Sequence, residues 1–184
     1  MPGYLLDTNH VDAYFDEDPK FVARLRTAPH ESLFWISAIT IGEIEASYGI
    51  TNRSFEAVQR SRRLIRESFL SGPDENLLCL PIDETSRSYY ASVIERLWGK
   101  YPPRNHHVDT EKHLAATCGI DINDVWIFAT AWKHGLTLLT RDRMERIREL
   151  VSEVNVENWL ETSGAVSAIE PEPPSSQSAS SSGK

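Results

Sequence analysis

Short apolar runs alternate with amphipathic stretches along most of the chain. The runs have the length of buried β-strands, and they predict strands at 3–6, 32–37, 76–82 and 136–139, with a fifth, edge strand at 154–156. Apolar residues recur at helical spacing in between and predict helices at 20–27, 39–48, 55–70, 84–97, 122–134 and from about 142 to 150. Strands that alternate with helices favour an α/β domain whose mostly parallel sheet is covered on both faces.

Turn and capping residues mark several boundaries of these elements. Asp83 is suited to cap the helix that follows it, and Gly49 and Gly135 stand where the C-cap of a helix is expected. The sequence Ser-Gly-Pro at 71–73 would stop the long helix before it, and 99–107, which contains two prolines, is predicted to be a loop. The elements are therefore short and closely spaced.

The length of 184 residues suits one domain that can bury a sizeable core without disulfides. Cys79 and Cys118 are accordingly expected to be free thiols in a reducing compartment. From about residue 163 the composition changes to Ser, Pro, Glu and Gly, which cannot bury enough apolar area to order themselves. We predict one domain over 1–160 and a disordered tail over 161–184.

The N-terminal sequence and the net charge bear on the compartment of the protein and on its binding partners. No basic segment followed by an apolar stretch begins the chain, and no apolar run approaches the ~20 residues of a membrane helix. The expected compartment is the cytoplasm, without membrane attachment. A net charge of −8 argues against nucleic-acid binding unless metal ions neutralise the acids. Basic residues cluster at 60–66 and 141–148, where solvated helix faces are the simpler explanation.

Four carboxylates follow the predicted strands or lie on the helices next to them: Asp7, Glu43, Asp124 and Asp142. Taken singly, Asp7 and Asp142 could each be a helix N-cap, and Asp124 could be a favourable charge in the first turn of a buried helix. Glu43 is harder to explain in this way, because it lies among isoleucines on a helix that should be covered, and buried glutamate is rare unless paired.

Taken together, the four acids indicate a metal site. The carboxyl ends of parallel strands share one edge of a sheet, so the acids should converge there, and clustered carboxylates must take up a proton or a cation. Oxygen ligands favour Mg²⁺ or Mn²⁺, and the absence of His and Cys from the set disfavours zinc. Small polar residues stand beside the acids and could orient them: Thr8, Asn9, Ser37, Asn123 and Thr140.

A carboxylate-bound divalent ion suits the hydrolysis of phosphodiesters, because it can activate water and neutralise the scissile phosphate. Other reaction classes lack their motifs in this sequence. No G-x-S-x-G elbow is present, and neither GxGxxG nor a Walker A sequence supports a nucleotide cofactor. An aspartate-nucleophile phosphotransferase would carry a second acid two residues after Asp7, where this chain has Asn9.

Three sequence blocks, in this order, resemble the signature of PIN-domain proteins and most closely that of VapC-type toxins. They are LLDTN at 5–9, ISAITIGEIEASYGI at 36–50 and NDVWIFATAWKHGLTLLTRD at 123–142. The resemblance spans roughly 3–158 and implies a three-layer α/β/α sandwich. It also implies endoribonuclease activity with Mg²⁺ or Mn²⁺. By matching positions, it implies metal-site roles for Asp7, Glu43, Asp124 and Asp142, the last acting through water, and supporting roles for Thr8, Asn9 and Thr140.

The resemblance further implies an RNA substrate, a homodimer and a cognate antitoxin that covers the site. Two alternatives stay open at the level of sequence. One is a PIN-fold RNA-processing nuclease outside a toxin–antitoxin pair. The other is a non-catalytic PIN-fold module that binds RNA or protein, although degenerate members of this kind generally lose acids that are all retained here.

Overall fold

The computed structural model describes residues 3–50, 77–103 and 109–161, together with the single positions 56, 59, 60, 63 and 67. A five-stranded sheet with the strand order β3-β2-β1-β4-β5 forms the centre of the fold, and every neighbouring pair of strands is parallel. The strands are β1 (Gly3–Leu6), β2 (Leu33–Ser37), β3 (Leu77–Leu80), β4 (Thr137–Leu139) and β5 (Val156–Glu157). The predicted α/β class with a parallel sheet is confirmed.

Helices connect the strands and cover the sheet: α1 (Thr8–Phe15), α2 (Pro19–Thr27), α3 (Ala38–Ile50), α4 (Glu84–Lys100), α5 (Thr110–His113), α6 (Ile122–His134) and α7 (Glu145–Leu150). A π-helical turn over Leu114–Cys118 continues α5. The sequence pattern did not predict α5, and it suggested α1 only through the possibility that Asp7 caps a following helix. Both helices are short, so their apolar periodicity spans too few turns to be distinctive.

Side chains from successive strand positions enter two separate cores, one on each face of the sheet. Leu5 and Leu138 pack with residues of α4, α6 and α7, whereas Leu6 and Leu139 pack with residues of α1, α2 and α3. This alternation is the period of two that a strand imposes. The three-layer α/β/α arrangement implied by the resemblance is therefore present.

Several predicted boundaries were wrong. α7 begins at Glu145 and not near residue 142, because Met144 before it takes a left-handed backbone with φ 44° that cannot continue a helix backwards. The predicted loop at 99–107 begins later, since α4 runs through Lys100, and α3 continues past Gly49 to Ile50. Gly135 does cap α6 with φ 62°, as predicted.

Parts of the sequence-based predictions lie outside the described residues. They are the helix at 55–70 with its basic cluster at 60–66, except for five single positions, the helix stop at 71–73, residue 76 of the third strand, residues 104–108 of the predicted loop, and the tail at 161–184 except for Glu161. The domain boundary at 160 stays a prediction. Among the helices that the structure describes, none is both long and apolar enough to cross a membrane.

Candidate metal centre

Asp7 occupies the junction between β1 and α1 and is 4% exposed. Its Oδ1 accepts the N–H of Thr8 at 2.7 Å, which makes it the N-cap of α1. Its Oδ2 accepts from the hydroxyl of Thr140 at 2.7 Å and from Nδ2 of Asn9 at 3.1 Å. The carboxylate is thus held by three donors at the carboxyl end of the central strand.

Glu43 reaches the same place from α3. This helix follows β2 directly, and its first turn is fixed by the buried Ser37, whose Oγ accepts the N–H of Thr40 at 3.0 Å. One turn later, Oε2 of Glu43 accepts a hydrogen bond of 2.5 Å from the hydroxyl of Thr8. Because Thr8 adjoins Asp7 in the chain, the two carboxylates lie on neighbouring elements at one edge of the sheet.

Asp142 joins the group from the loop after β4. Its N–H donates to Oγ1 of Thr140 at 3.0 Å, and the same hydroxyl donates to Asp7. Its Oδ2 accepts from Nδ2 of Asn9 at 3.3 Å. Asp142 is therefore not the N-cap of a helix, one of the alternatives that the sequence left open, and its carboxylate is bonded to the first turn of α1 instead.

Asp124 lies in the first turn of α6, as the sequence predicted. The N-cap is Asp121, whose carboxylate accepts the N–H of Asn123, while Asp124 accepts the N–H of Asp121 at 2.9 Å. This reciprocal pair is a capping box. Asp124 and Asp142 both line a cavity of about 320 Å³ that opens beside the end of the sheet.

Burial and mutual repulsion make two of these acids hard to ionise. The pKa of Asp7 is raised to about 6, mainly by burial, against the hydrogen bonds from Thr140 and Thr8, and the charges of Glu43 and Asp142 raise it further. This repulsion arises because the hydrogen bonds of Thr8 and Asn9 hold Glu43 and Asp142 near Asp7.

The pKa of Asp124 is raised to about 7. Burial is the largest cause, the hydrogen bond from Asp121 acts in the opposite direction, and the charges of Asp7, Asp142 and Asp121 raise it further. The negative charges of Asp7 and Asp142 thus both disfavour ionisation of Asp124. A pocket that disfavours carboxylate charge in this way favours a bound proton or a bound cation.

The donor set fits a hard divalent cation, because the groups that could ligate it are carboxylate oxygens. Among the residues that the structure describes, however, no three His, Cys, Asp or Glu side chains stand close enough to ligate one ion as they are placed. Asp124 turns towards the N–H of Asp121, and Glu43 turns towards Thr8, so each carboxylate accepts from a protein donor. The roles of these acids as metal ligands stay a prediction.

Sequence reasoning missed two residues that belong to this arrangement. One ring nitrogen of His10 contacts Asn9. The other accepts the backbone N–H of Trp159, which lies 149 positions later in the chain. Asp121 was overlooked although its place, three residues before Asp124, is the spacing of a capping box and could have been recognised. For His10, no sequence signal pointed to its partner.

Comparisons with known proteins agree with this architecture. The structure is similar to a chain of VapBC2 from Rickettsia felis bound to a DNA fragment from their promoter, with a TM-score of 0.59 and 16% identity over 85% of this chain and 98% of that one. It is similar to a chain of FitAcB from Neisseria gonorrhoeae, with a TM-score of 0.55 and 26% identity over 86% and 99%. It is also similar to a chain of a toxin-antitoxin complex from Klebsiella pneumoniae, with a TM-score of 0.51 and 19% identity over 86% of this chain and 99% of that one.

No curated protein sequence is significantly similar to the chain. The family model described as "PIN domain", in contrast, matches residues 4–150, which include all four acids, strands β2 to β4 and all of β1 except Gly3. The chain therefore belongs to the PIN domain family.

Proposed function

We propose that the protein is an endoribonuclease that depends on Mg²⁺ or Mn²⁺ and acts as the toxin of a toxin–antitoxin pair. The observation that carries the proposal is that four acids from separate segments lie at one end of the sheet. Thr8, Asn9 and Thr140 join Glu43 and Asp142 to Asp7 by hydrogen bonds, and Asp124 lines the same cavity as Asp142. Such a concentration of negative charge is costly for folding unless the acids bind a proton or a cation. Its position beyond the carboxyl ends of the strands is the usual ligand site of a parallel sheet.

In this proposal the four acids hold the ion, with Asp142 acting through water. The bound ion would activate water, neutralise the scissile phosphate and stabilise the leaving oxygen. The protein's own groups supply orientation. Thr140 and Asn9 donate to Asp7, and Thr8 donates to Glu43, so both carboxylates are held in place by neutral donors. Because its pKa is raised to about 7, Asp124 binds a proton more readily than an ordinary aspartate in the absence of the ion.

The toxin role is supported by the three sequence blocks and by the complexes in which the structural neighbours occur, among them a toxin-antitoxin complex. The proposal includes a cognate antitoxin as partner, a homodimer, and RNA in the cytoplasm as substrate. The presence of all four acids disfavours a purely non-catalytic PIN module. A nuclease outside a toxin–antitoxin pair would use the same site, and the experiment below separates the two.

The proposal is tested by induced expression in a bacterium of the wild-type protein, Asp7→Ala and the control variant Glu95→Gln, which alters an exposed acid on α4. We expect growth arrest and new RNA ends with the wild type and with Glu95→Gln, and neither with Asp7→Ala. The same RNA should be cut by the purified protein with Mg²⁺ and not with a chelator. RNA cleavage without growth arrest would point to a processing nuclease. Full activity of Asp7→Ala would show that the candidate metal centre is not the site of RNA cleavage.

A further inference from the structure

His10 is fully buried in the first turn of α1, beside the residues of the candidate metal centre. Its ring packs edge-on against Phe21 with the centroids 6.1 Å apart. A polar ring in such surroundings needs a partner for each nitrogen, and both nitrogens have one. Nδ1 lies 2.6 Å from Oδ1 of Asn9, and the N–H of Trp159 donates to Nε2 at 3.1 Å.

These partners fix the tautomer of the ring. A backbone N–H can only donate, so Nε2 of His10 must be the unprotonated acceptor. The proton therefore sits on Nδ1, which donates to Oδ1 of Asn9. Burial, and after it the charge of Arg141, lowers the pKa of His10 to about 4, so the ring is neutral near pH 7.

The same contacts fix the orientation of the Asn9 amide. Its Oδ1 accepts a second hydrogen bond from the N–H of Arg141 at 3.0 Å. A flipped amide would set its NH₂ group against two donors, so only one orientation satisfies the site. In that orientation Nδ2 donates to Oδ2 of Asp7 at 3.1 Å and to Oδ2 of Asp142 at 3.3 Å.

We propose that His10 is a positioning residue, which is held by the backbone of Trp159 and fixes the Asn9 amide as a double donor between Asp7 and Asp142. The inference rests on the proposed function for its consequence, which is that the amide sets the separation of two carboxylates that hold the ion. Trp159 lies beyond residues 4–150, the part matched by the family model, so the segment after β5 contributes to the site through this histidine.

Two variants of His10 separate its two hydrogen bonds. His10→Asn puts an amide nitrogen near the position of Nδ1 and keeps a donor to Asn9, but it loses the acceptor for Trp159. His10→Gln puts an oxygen near the position of Nε2 and keeps the acceptor, but it loses the donor. Trp159→Phe is a control, because it removes the indole and keeps the backbone N–H.

The first measurement is NMR of the metal-free protein. In the wild type we expect the ring of His10 protonated at Nδ1 only, and two separate, slowly exchanging side-chain amide protons on Asn9. His10→Asn and Trp159→Phe should keep the Asn9 signals, and His10→Gln should shift them and speed their exchange. A ring protonated at Nε2, or Asn9 signals that change equally in both His10 variants, would overturn the proposal.

The second measurement is the Mg²⁺ concentration at the midpoint of thermal stabilisation. We expect His10→Gln to raise it about 10-fold, as is usual for the loss of an outer contact at a metal site. His10→Asn should stay within about 3-fold of the wild type, and equal midpoints in all variants would contradict the positioning role. If the wild type itself shows no stabilisation by Mg²⁺ while the NMR results hold, the proposed function fails and the hydrogen-bond arrangement stands.

Discussion

The hydroxyl of Thr140 joins Asp7 to Asp142: it donates to Oδ2 of Asp7 at 2.7 Å and accepts the N–H of Asp142 at 3.0 Å. Thr140 is the first residue after β4, and Asp7 is the first after the neighbouring strand β1. Because Leu6 and Leu139 are paired in the parallel register, the two strands end at the same height in the sheet. A single buried hydroxyl can therefore bond to both acids.

Replacing this hydroxyl should destabilise both the fold and the site. Thr140→Val keeps the shape of the side chain but leaves the buried carboxylate of Asp7 with one donor fewer and the N–H of Asp142 without its partner. We expect a loss of about 1–3 kcal/mol in the free energy of unfolding by urea, together with a further rise in the pKa of Asp7. Thr140→Ser keeps the hydroxyl and is the control. Equal stability of the two variants would contradict the bridging role.

The sequence predicted the part of this arrangement that depends on local pattern. Apolar runs of strand length located all five strands, and the rule that parallel strands end on one side predicted that Asp7, Glu43, Asp124 and Asp142 would converge. The periodicity of α6 was long and strongly apolar, so its bounds were predicted closely. The strands and α6 follow from positions that lie near one another in the chain, and the expected convergence of the acids follows from the rule on parallel strand ends.

The sequence could not predict which individual residues of remote segments bond to one another. The bond from Trp159 to His10 spans 149 positions, and nothing in either local sequence indicates it. The left-handed backbone of Met144 likewise gives no sequence signal, since a methionine rarely takes this conformation. It displaced the start of α7 to Glu145 and left Asp142 in a loop, where its carboxylate reaches Asn9.

In the metal-free protein, Asp124→Asn should become more stable than the wild type as the pH rises. The folded-state pKa of Asp124 lies at about 7, above its ordinary value. Between about pH 4 and pH 7 the folded state therefore binds more protons than the unfolded state, and the free energy of unfolding falls as the pH rises. Asparagine removes this loss and can still accept the N–H of Asp121 through its oxygen.

We expect the two proteins to be about equally stable at pH 4 and the variant to gain about 2–4 kcal/mol by pH 8, measured by urea unfolding with a chelator present. The lowered pKa of His10 acts with the opposite sign, because stability from that group is lost as the pH falls. Its contribution cancels when variant and wild type are compared at the same pH. A difference that does not grow with pH would show that Asp124 ionises normally.

Mg²⁺ should stabilise the wild-type protein, and more strongly at pH 8 than at pH 5.5. An ion that binds only the folded state raises the melting temperature, and protons on Asp7 and Asp124 compete with it. Asp124→Asn should lose most of this stabilisation, while Glu95→Gln should retain it. The test is a series of melting curves at millimolar Mg²⁺. Equal responses of Asp124→Asn and the wild type would argue against ion binding by these acids.

Asp121 should tune the ionisation of Asp124 without entering the candidate site. Its carboxylate is exposed, caps α6 through the N–H of Asn123, and raises the pKa of Asp124 by its charge. Asp121→Asn keeps an equivalent N-cap and removes that charge. We therefore expect the pKa of Asp124, followed by carbon NMR of the side-chain carboxyl, to fall while the melting temperature stays nearly constant.

Asp121→Ala is the control. It also removes the charge but loses the cap, so it should lower the pKa of Asp124 and the stability of the protein together. If Asp121→Asn leaves the pKa unchanged, the repulsion that raises it comes from the acids at the strand ends alone.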